Sequence, residues 1–363
     1  MKPDIKSMTL PELEAYFLEL GEKKFRAKQV YSWLHQKQAE SYEEMTNLSA
    51  ALRSRLAETT QLRTLKPLEV LTSQVDGTQK FLFALPDGPV IESVLMKYQF
   101  GNSVCISSQA GCRMGCRFCA STIGGRIRDL TASEMLDQIY RITRISGERV
   151  SHVVVMGTGE PLDNYDQLVR FIRILSGEDG LNLSQRNITV STCGLAEKIE
   201  ELAKEKLQIT LALSLHASNQ KKREALMPIA RKYDIHQVLE SCRIYQESTG
   251  RRLTFEYSLV AGVNDTDEDA RELAALIRPL HGHVNLIPVN PIRERDYVRP
   301  DRRAVLAFQN KLEKSGINVT IRREMGSDIS GACGQLRRSW NETHGETGSP
   351  EAAASRADVL PEE

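Results

Sequence analysis

The stretch VCISSQAGCRMGCRFCA, residues 104–120, joins a β-branched run to a loop carrying Cys112, Cys116 and Cys119 in a C-x3-C-x2-C spacing. Thiolates bind soft metals, and three in one short, glycine-containing loop can surround one face of an iron–sulfur cube, leaving the fourth iron without a protein ligand. A zinc site needs a fourth ligand and usually pairs two CxxC-like hooks. No second hook is visible in the sequence, and Cys105, seven residues before Cys112, lies inside the predicted strand. A catalytic cluster is therefore the first reading, with zinc and chance core cysteines behind it.

Outward from this loop, β-branched runs alternate with amphipathic helical stretches. The runs are VCISSQ from Val104, HVVVMG from His152, NITVST from Asn187, ITLALSLH from Ile209, LTFEYSLV from Leu253, VNLIPVN from Val284 and NVTIRR from Asn318. Repeated βα units of this kind predict an α/β fold whose parallel sheet is covered by helices on both faces. Six units make a partial barrel, and the seventh run extends it. Reactive groups in βα barrels gather at the C-terminal ends of strands. The cysteine loop, Gly157 to Pro161, Ser191, Ser214 to His216, and Asn290 all fall at such ends and so share one rim.

Towards the N-terminus, Leu10, Leu13, Phe17 and Leu20, then Ala27, Val30, Tyr31 and Leu34, recur at helical spacing on either side of Gly21. They predict a small helical module over residues 1–62. Lys23, Lys24, Arg26 and Lys28 gather there beside Trp33, as an RNA contact or as an ordinary solvated face with a core tryptophan. Residues 63–102 read as a short antiparallel sheet, with LEVLTS, KFLFAL and VIESVLM separated by Asp76-Gly77 and Pro86-Asp87-Gly88-Pro89;. The barrel is assigned to residues 103–343. The small, polar tail 344–363 is expected to be disordered.

With 363 residues, the chain is long enough for two folded units;. No apolar run approaches the roughly 20 residues that cross a bilayer, and the N-terminus lacks a secretion signal, so a cytoplasmic protein is expected; the expected oligomeric state is a monomer. Seven cysteines, three of them within eight positions, suit metal or redox chemistry in a reducing compartment better than a disulfide scaffold;. Formal charge is zero, yet residues 344–363 hold five acids and one base, which leaves residues 1–343 at +4. Basic doublets such as Arg251-Arg252, Arg302-Arg303 and Arg322-Arg323 fit either nucleic acid or solvated faces;.

The cysteine spacing, with Phe118 before the last thiol, resembles the signature of the radical S-adenosylmethionine (SAM) superfamily. CISSQAGCRMGCRFCAST, VVVMGTGEPLDN, ITVSTCG, LALSLHA, NLIPVNP and GSDISGACGQL then resemble, in that order, motifs of the RlmN family, the dual-specificity 23S rRNA and tRNA adenine-C2 methyltransferases. The likeness runs from GEKKFRAKQVYSWL in the N-terminal helices to about Leu336. It implies a radical-SAM partial barrel with a [4Fe-4S] cluster on Cys112, Cys116 and Cys119 and two SAM per turnover. It also implies SAM contacts from Gly159, Glu160, Ser191, Ser214, Leu215, His216 and Asn290, with Glu160 taking the amino group.

By the same resemblance, Cys333 is methylated by one SAM, Cys105 releases the product, and Glu92 is the proton acceptor. A flavodoxin-type protein is the implied electron donor. The residues alone leave plainer readings open. His216 can be a core or cap residue, Glu92 a solvent-facing strand glutamate, and Cys105 and Cys333 small buried hydrophobes. Cys193 and Cys242 read as core residues, and His281 and His283 as surface residues.

Adenine C2 has no lone pair to attack a sulfonium, so its methylation needs a radical route. The resemblance implies that a methylene radical on Cys333 adds to the ring and that Cys105 then attacks the Cys333 sulfur, leaving a transient disulfide. The nearest rival is the sister activity at adenine C8 of rRNA; Ala110, where that subgroup is expected to carry a further cysteine, favours C2. A rival of another class is a non-catalytic RNA-binding protein with a structural metal.

Overall fold

The computed structural model describes residues 2–291, 295–329 and 335–344. Three helices open the chain, α1 (Leu10–Glu19), α2 (Lys24–His35) and α3 (Ala50–Thr59). Thr9 and Glu12 form a capping box that starts α1, the reciprocal arrangement that satisfies orphan amide donors at a helix start. Leu13, Phe17, Ala27, Val30, Tyr31 and Leu34 are buried, while Leu10 and Leu20 are partly buried at the edge of that core.

Strands β1 (Lys66–Thr72), β2 (Gln79–Ala84), β3 (Val90–Tyr98) and β4 (Gly101–Ile106) run antiparallel in sequence order. The short hairpin β5 (Gln109–Gly111) and β6 (Arg126–Asp129) brackets the cysteine loop. The βα repeat then runs through α4 (Ala132–Ser146), β7 (Val150–Val155), α5 (Tyr165–Ser176), β8 (Ile188–Thr192), α6 (Ala196–Lys204) and β9 (Thr210–Ser214). It continues with α7 (Gln220–Leu226), α8 (Ile235–Thr249), β10 (Leu253–Leu259), α9 (Asp267–Ile277), β11 (Gly282–Pro288), α10 (Arg302–Lys314), β12 (Val319–Ile321) and α11 (Gln335–His344).

One ten-stranded sheet results, in the order β1-β2-β3-β4-β7-β8-β9-β10-β11-β12. Its seven strands from β4 to β12 are mutually parallel, as the seven β-branched runs predict. The sheet does not close among the described residues. Two features differ from expectation. The antiparallel strands do not form a sheet of their own, because β3 pairs with β4 from Tyr98↔Gly101 to Val94↔Cys105 and so extends the parallel sheet. The β5–β6 hairpin was also not anticipated, since three- and four-residue strands carry no readable alternation.

The N-terminal helices are tied to α4 through a buried polar contact. Lys6 donates to Asp137 at 2.5 Å and to the Arg63 carbonyl at 2.7 Å, and the Leu65 amide donates to the other Asp137 oxygen at 2.6 Å. His35 meets the Tyr140 hydroxyl at 3.0 Å, and burial pushes its pKa down to about 3, so the ring is neutral. Lys6 is 1% exposed. Removing one partner of a buried pair strands the other charge, at a cost of about 3–5 kcal/mol. Asp137→Ala is therefore predicted to lower unfolding stability by that order in a urea titration; a loss under about 1 kcal/mol would mean that Lys6 is hydrated or re-paired.

Candidate active site

The cysteine loop is shaped by backbone and hydroxyl contacts. The Cys112 amide donates to the Gly125 carbonyl at 3.0 Å, and Arg117 donates to the Leu226 carbonyl at 2.9 Å. The Thr122 hydroxyl donates to the carbonyls of Cys116 and Cys119 at 3.1 and 2.9 Å. Arg113 is clamped on Asp163, with Nε donating at 2.9 Å. All three cysteines line one cavity of about 500 Å³.

Burial pushes the Cys112 thiol up to about 12. Cys116 rises well above its usual value, again by burial first and then by the neighbouring Cys119 and Cys112 sulfurs. Such thiols give up their protons when a cation takes their place, because a bound metal favours the thiolate. Among the described residues, no three His, Cys, Asp or Glu side chains converge as ligands of a single ion. Three thiols on one short loop facing one cavity fit an iron–sulfur cluster held by three protein thiolates;.

The strand ends deliver the other walls. Gly159 follows β7 with φ +117, and a Cβ there would lie 2.7 Å from the Ser108 hydroxyl and from the Gln109 side chain, so only glycine fits;. Glu160, 3% exposed, accepts the amides of Leu162 at 3.0 Å and Cys193 at 2.7 Å. Burial raises its pKa while these amides oppose the rise. Ser191 and Ser214, from neighbouring strands, place their hydroxyls 3.4 Å apart. His216 adopts φ 57, packs edge-on against Phe118 at 4.7 Å, and accepts the Ser258 amide on Nδ1 at 2.9 Å. Burial drops its pKa to about 3, so a neutral ring carries its proton on Nε2;.

The cavity thus brings together Cys112, Cys116, Cys119, Cys105, Gly159, Glu160, Ser191, Ser214, His216 and Asn290. Cys105, 3% exposed, sits among Val94, Met96 and Met156. Leu215 stands apart: its side chain is fully buried away from the cavity, and its amide donates to the Glu256 carbonyl at 3.1 Å. Glu92 does not line the cavity either, and it is not the solvent-facing residue its sequence context allows. It is 2% exposed, lies 3.4 Å from Lys80 Nζ, and accepts the Arg337 amide at the start of α11 at 3.1 Å.

Cys333 lies outside the described residues. Met325 and Ser327, a few positions before it, line the cavity, and Leu336, just after it, packs with Leu82 and Val90. Cys193, expected as a core residue, also borders the cavity, whereas Cys242 is fully buried. Glu256 on β10 lines the site and receives Asn285 at 3.0 Å. The sequence holds its signal, a lone acid in the apolar run LTFEYSLV.

A cysteine-loaded loop after the first parallel strand, facing a cavity ringed by the other strand ends, defines the class: this is a radical SAM enzyme. Residues 106–277 match the radical SAM superfamily, and residues 4–62 match the ribosomal RNA large subunit methyltransferase N-terminal domain. Over 339 residues the chain is 62% identical to the probable dual-specificity RNA methyltransferase RlmN of Lachnospira eligens, covering 93% of this chain and 97% of that one. The corresponding protein of Lachnoclostridium phytofermentans is 60% identical, with 94% and 96% covered. A crystal structure of a radical SAM methyltransferase from Sphaerobacter thermophilus superposes with a TM-score of 0.88 at 43% identity, over 92% of this chain and 98% of that one.

The chain belongs to the RlmN family of radical SAM RNA methyltransferases. Membership of the superfamily implies SAM and a [4Fe-4S] cluster. Among the described residues, no helix is long and apolar enough to cross a membrane.

Proposed function

We propose that this enzyme methylates C2 of a specific adenosine in 23S rRNA and of the adenosine next to the anticodon in tRNAs. The observation that carries the reading is the position of Cys105. It shares the cavity with the three cluster cysteines and with Met325 and Ser327, which lead to Cys333. Bound there, a [4Fe-4S] cluster and two SAM per turnover would supply a methyl group and a carbon radical, with electrons from a flavodoxin-type donor.

The chain's own residues do the rest. Glu160, Ser191, Ser214, His216 and Asn290 orient SAM. Cys333 carries the methyl group as a thioether, and its activated methylene carbon bonds to adenine C2. Glu92, on the same strand face as the cavity-lining Val94 and Met96;, is assigned the departing proton. Cys105 then attacks the Cys333 sulfur, so a disulfide forms as the carbon–sulfur bond breaks; the bond's electron pair and a proton complete the methyl group on C2, and the single electron left by the radical addition would return to the enzyme's one-electron centre. Phosphates would be met by Arg299, Arg322 and Arg323 at the cavity wall and by the exposed Lys23, Lys24 and Lys28 of the N-terminal module, residues 1–62;. The working unit is a cytoplasmic monomer.

The test is anaerobic turnover of rRNA and tRNA followed by mass spectrometry of the nucleosides. Methylation at adenine C2 in both RNAs is the expected outcome. A product methylated at C8 would move the enzyme to the sister activity, and SAM-independent RNA binding alone would leave only a binding protein.

A further inference from the structure

Arg223 on α7 is fully buried. Its guanidinium donates to the carbonyls of Cys193 at 2.6 Å and Tyr233 at 3.2 Å, and its Nε has no hydrogen-bond partner among the described residues. Two backbone dipoles are slender compensation for a cation taken out of water, since an unpaired buried charge is among the costliest features a fold can hold.

Its neighbourhood explains the placement. Cys193 borders the cavity. At the end of the same helix, the Leu226 carbonyl accepts the amide of Arg117, the residue after Cys116. Burial lowers the Arg223 pKa; the Cys193, Cys116 and Cys242 sulfurs oppose that, ahead of the Asp234 carboxylate. A cube held by three thiolates carries a net charge of about −1, and about −2 once it has accepted one electron. The buried positive charge therefore stands directly behind Cys193, one residue deep from the cavity that the cluster would fill.

We propose that Arg223 is the buried counter-cation of the iron–sulfur site, fixed behind Cys193 by the carbonyls of Cys193 and Tyr233 so that its charge favours the one-electron reduction from the external donor. Nearby charge and buried hydrogen bonds are among the levers that set cluster potentials, and a guanidinium stays charged where a lysine can lose its proton. This rests on the cluster being held by Cys112, Cys116 and Cys119.

The test compares Arg223→Met, Arg223→Gln and Arg223→Lys in anaerobically reconstituted protein by an EPR-monitored redox titration. Met and Gln are expected to weaken reduction at least tenfold, about 59 mV for a one-electron couple, while Lys falls between them and wild type, because its ammonium supplies the charge only while the anionic cluster keeps it protonated. Stability without the cluster gives a second reading. Arg223→Met should be neutral or stabilising in the cluster-free protein and destabilising in the loaded one, and loss of loading in the Met variant alone, with the cluster-free fold intact, would carry the same meaning. Equal shifts in all three variants, or equal destabilisation with and without the cluster, would overturn the proposal and leave Arg223 a strut for the Cys193 and Tyr233 carbonyls. A wild-type protein without an iron–sulfur spectrum would overturn the cluster assignment and this proposal together. An intact spectrum with an unmoved potential in Arg223→Met overturns this proposal alone.

Discussion

Alanine at Cys112, Cys116 or Cys119 is expected to abolish, in each single variant, both the iron–sulfur absorption near about 400 nm and SAM cleavage. The effect should be all-or-none if, as proposed, each thiolate holds a different iron of the cube, because losing one ligand then opens a second iron. The fold should survive. The loop is held by the Cys112–Gly125 and Arg117–Leu226 backbone bonds and by Thr122, none of which uses a sulfur. Removing a buried thiol also removes a group whose ionisation the site opposes. Circular dichroism and thermal unfolding of the cluster-free proteins should therefore match the cluster-free wild type. Full zinc occupancy with retained activity would falsify the cluster assignment.

The parallel sheet was legible because its strands are runs of β-branched and apolar residues, buried throughout in β10 and alternating with half-buried positions in β7, β8 and β11;. The rim was legible because glycines and short polar residues interrupt those runs at strand ends. What could not be read depends on neighbours distant in sequence. Glu92 reads as half of an alternation, yet Val90 to Met96 are buried on both sides, with Ser93 donating to Gln138 of α4 at 2.8 Å and Glu92 meeting the start of α11. Its cation, Lys80, lies on the adjacent strand β2, where only the hairpin register places it. Leu215 shares a motif with Ser214 and His216, but a strand end sends successive side chains to opposite faces, so only its neighbours reach the cavity. Arg223 sits in a basic triplet, Lys221-Lys222-Arg223, that looks solvated throughout; Lys222 pairs with Asp269, and Arg223 turns inward.

Cys105→Ala and Cys333→Ala should fail at different stages, and the difference tests the proposed chemistry most sharply. If Cys333 carries the methyl group, Cys333→Ala keeps the cluster and SAM cleavage but transfers no methyl to RNA, because no thioether is left to activate. Cys105→Ala leaves carriage and addition to the base intact. What it lacks is the thiolate that attacks the Cys333 sulfur, since thiol exchange needs a nucleophilic sulfur within reach of the leaving one. Cys105 has few substitutes for that step. It is 3% exposed, walled by Val94, Met96 and Met156, and opens only on the cavity. Cys193 is the other non-cluster thiol on that wall among the described residues, and burial holds its pKa well above the usual value. Product release should therefore drop by several orders of magnitude in Cys105→Ala, with RNA trapped covalently on Cys333 as a slow-migrating band that RNase collapses. The double variant should show no band. A band in Cys333→Ala would exchange the two roles, and full turnover without Cys105 would hand the release step to another group, with Cys193 the first to replace.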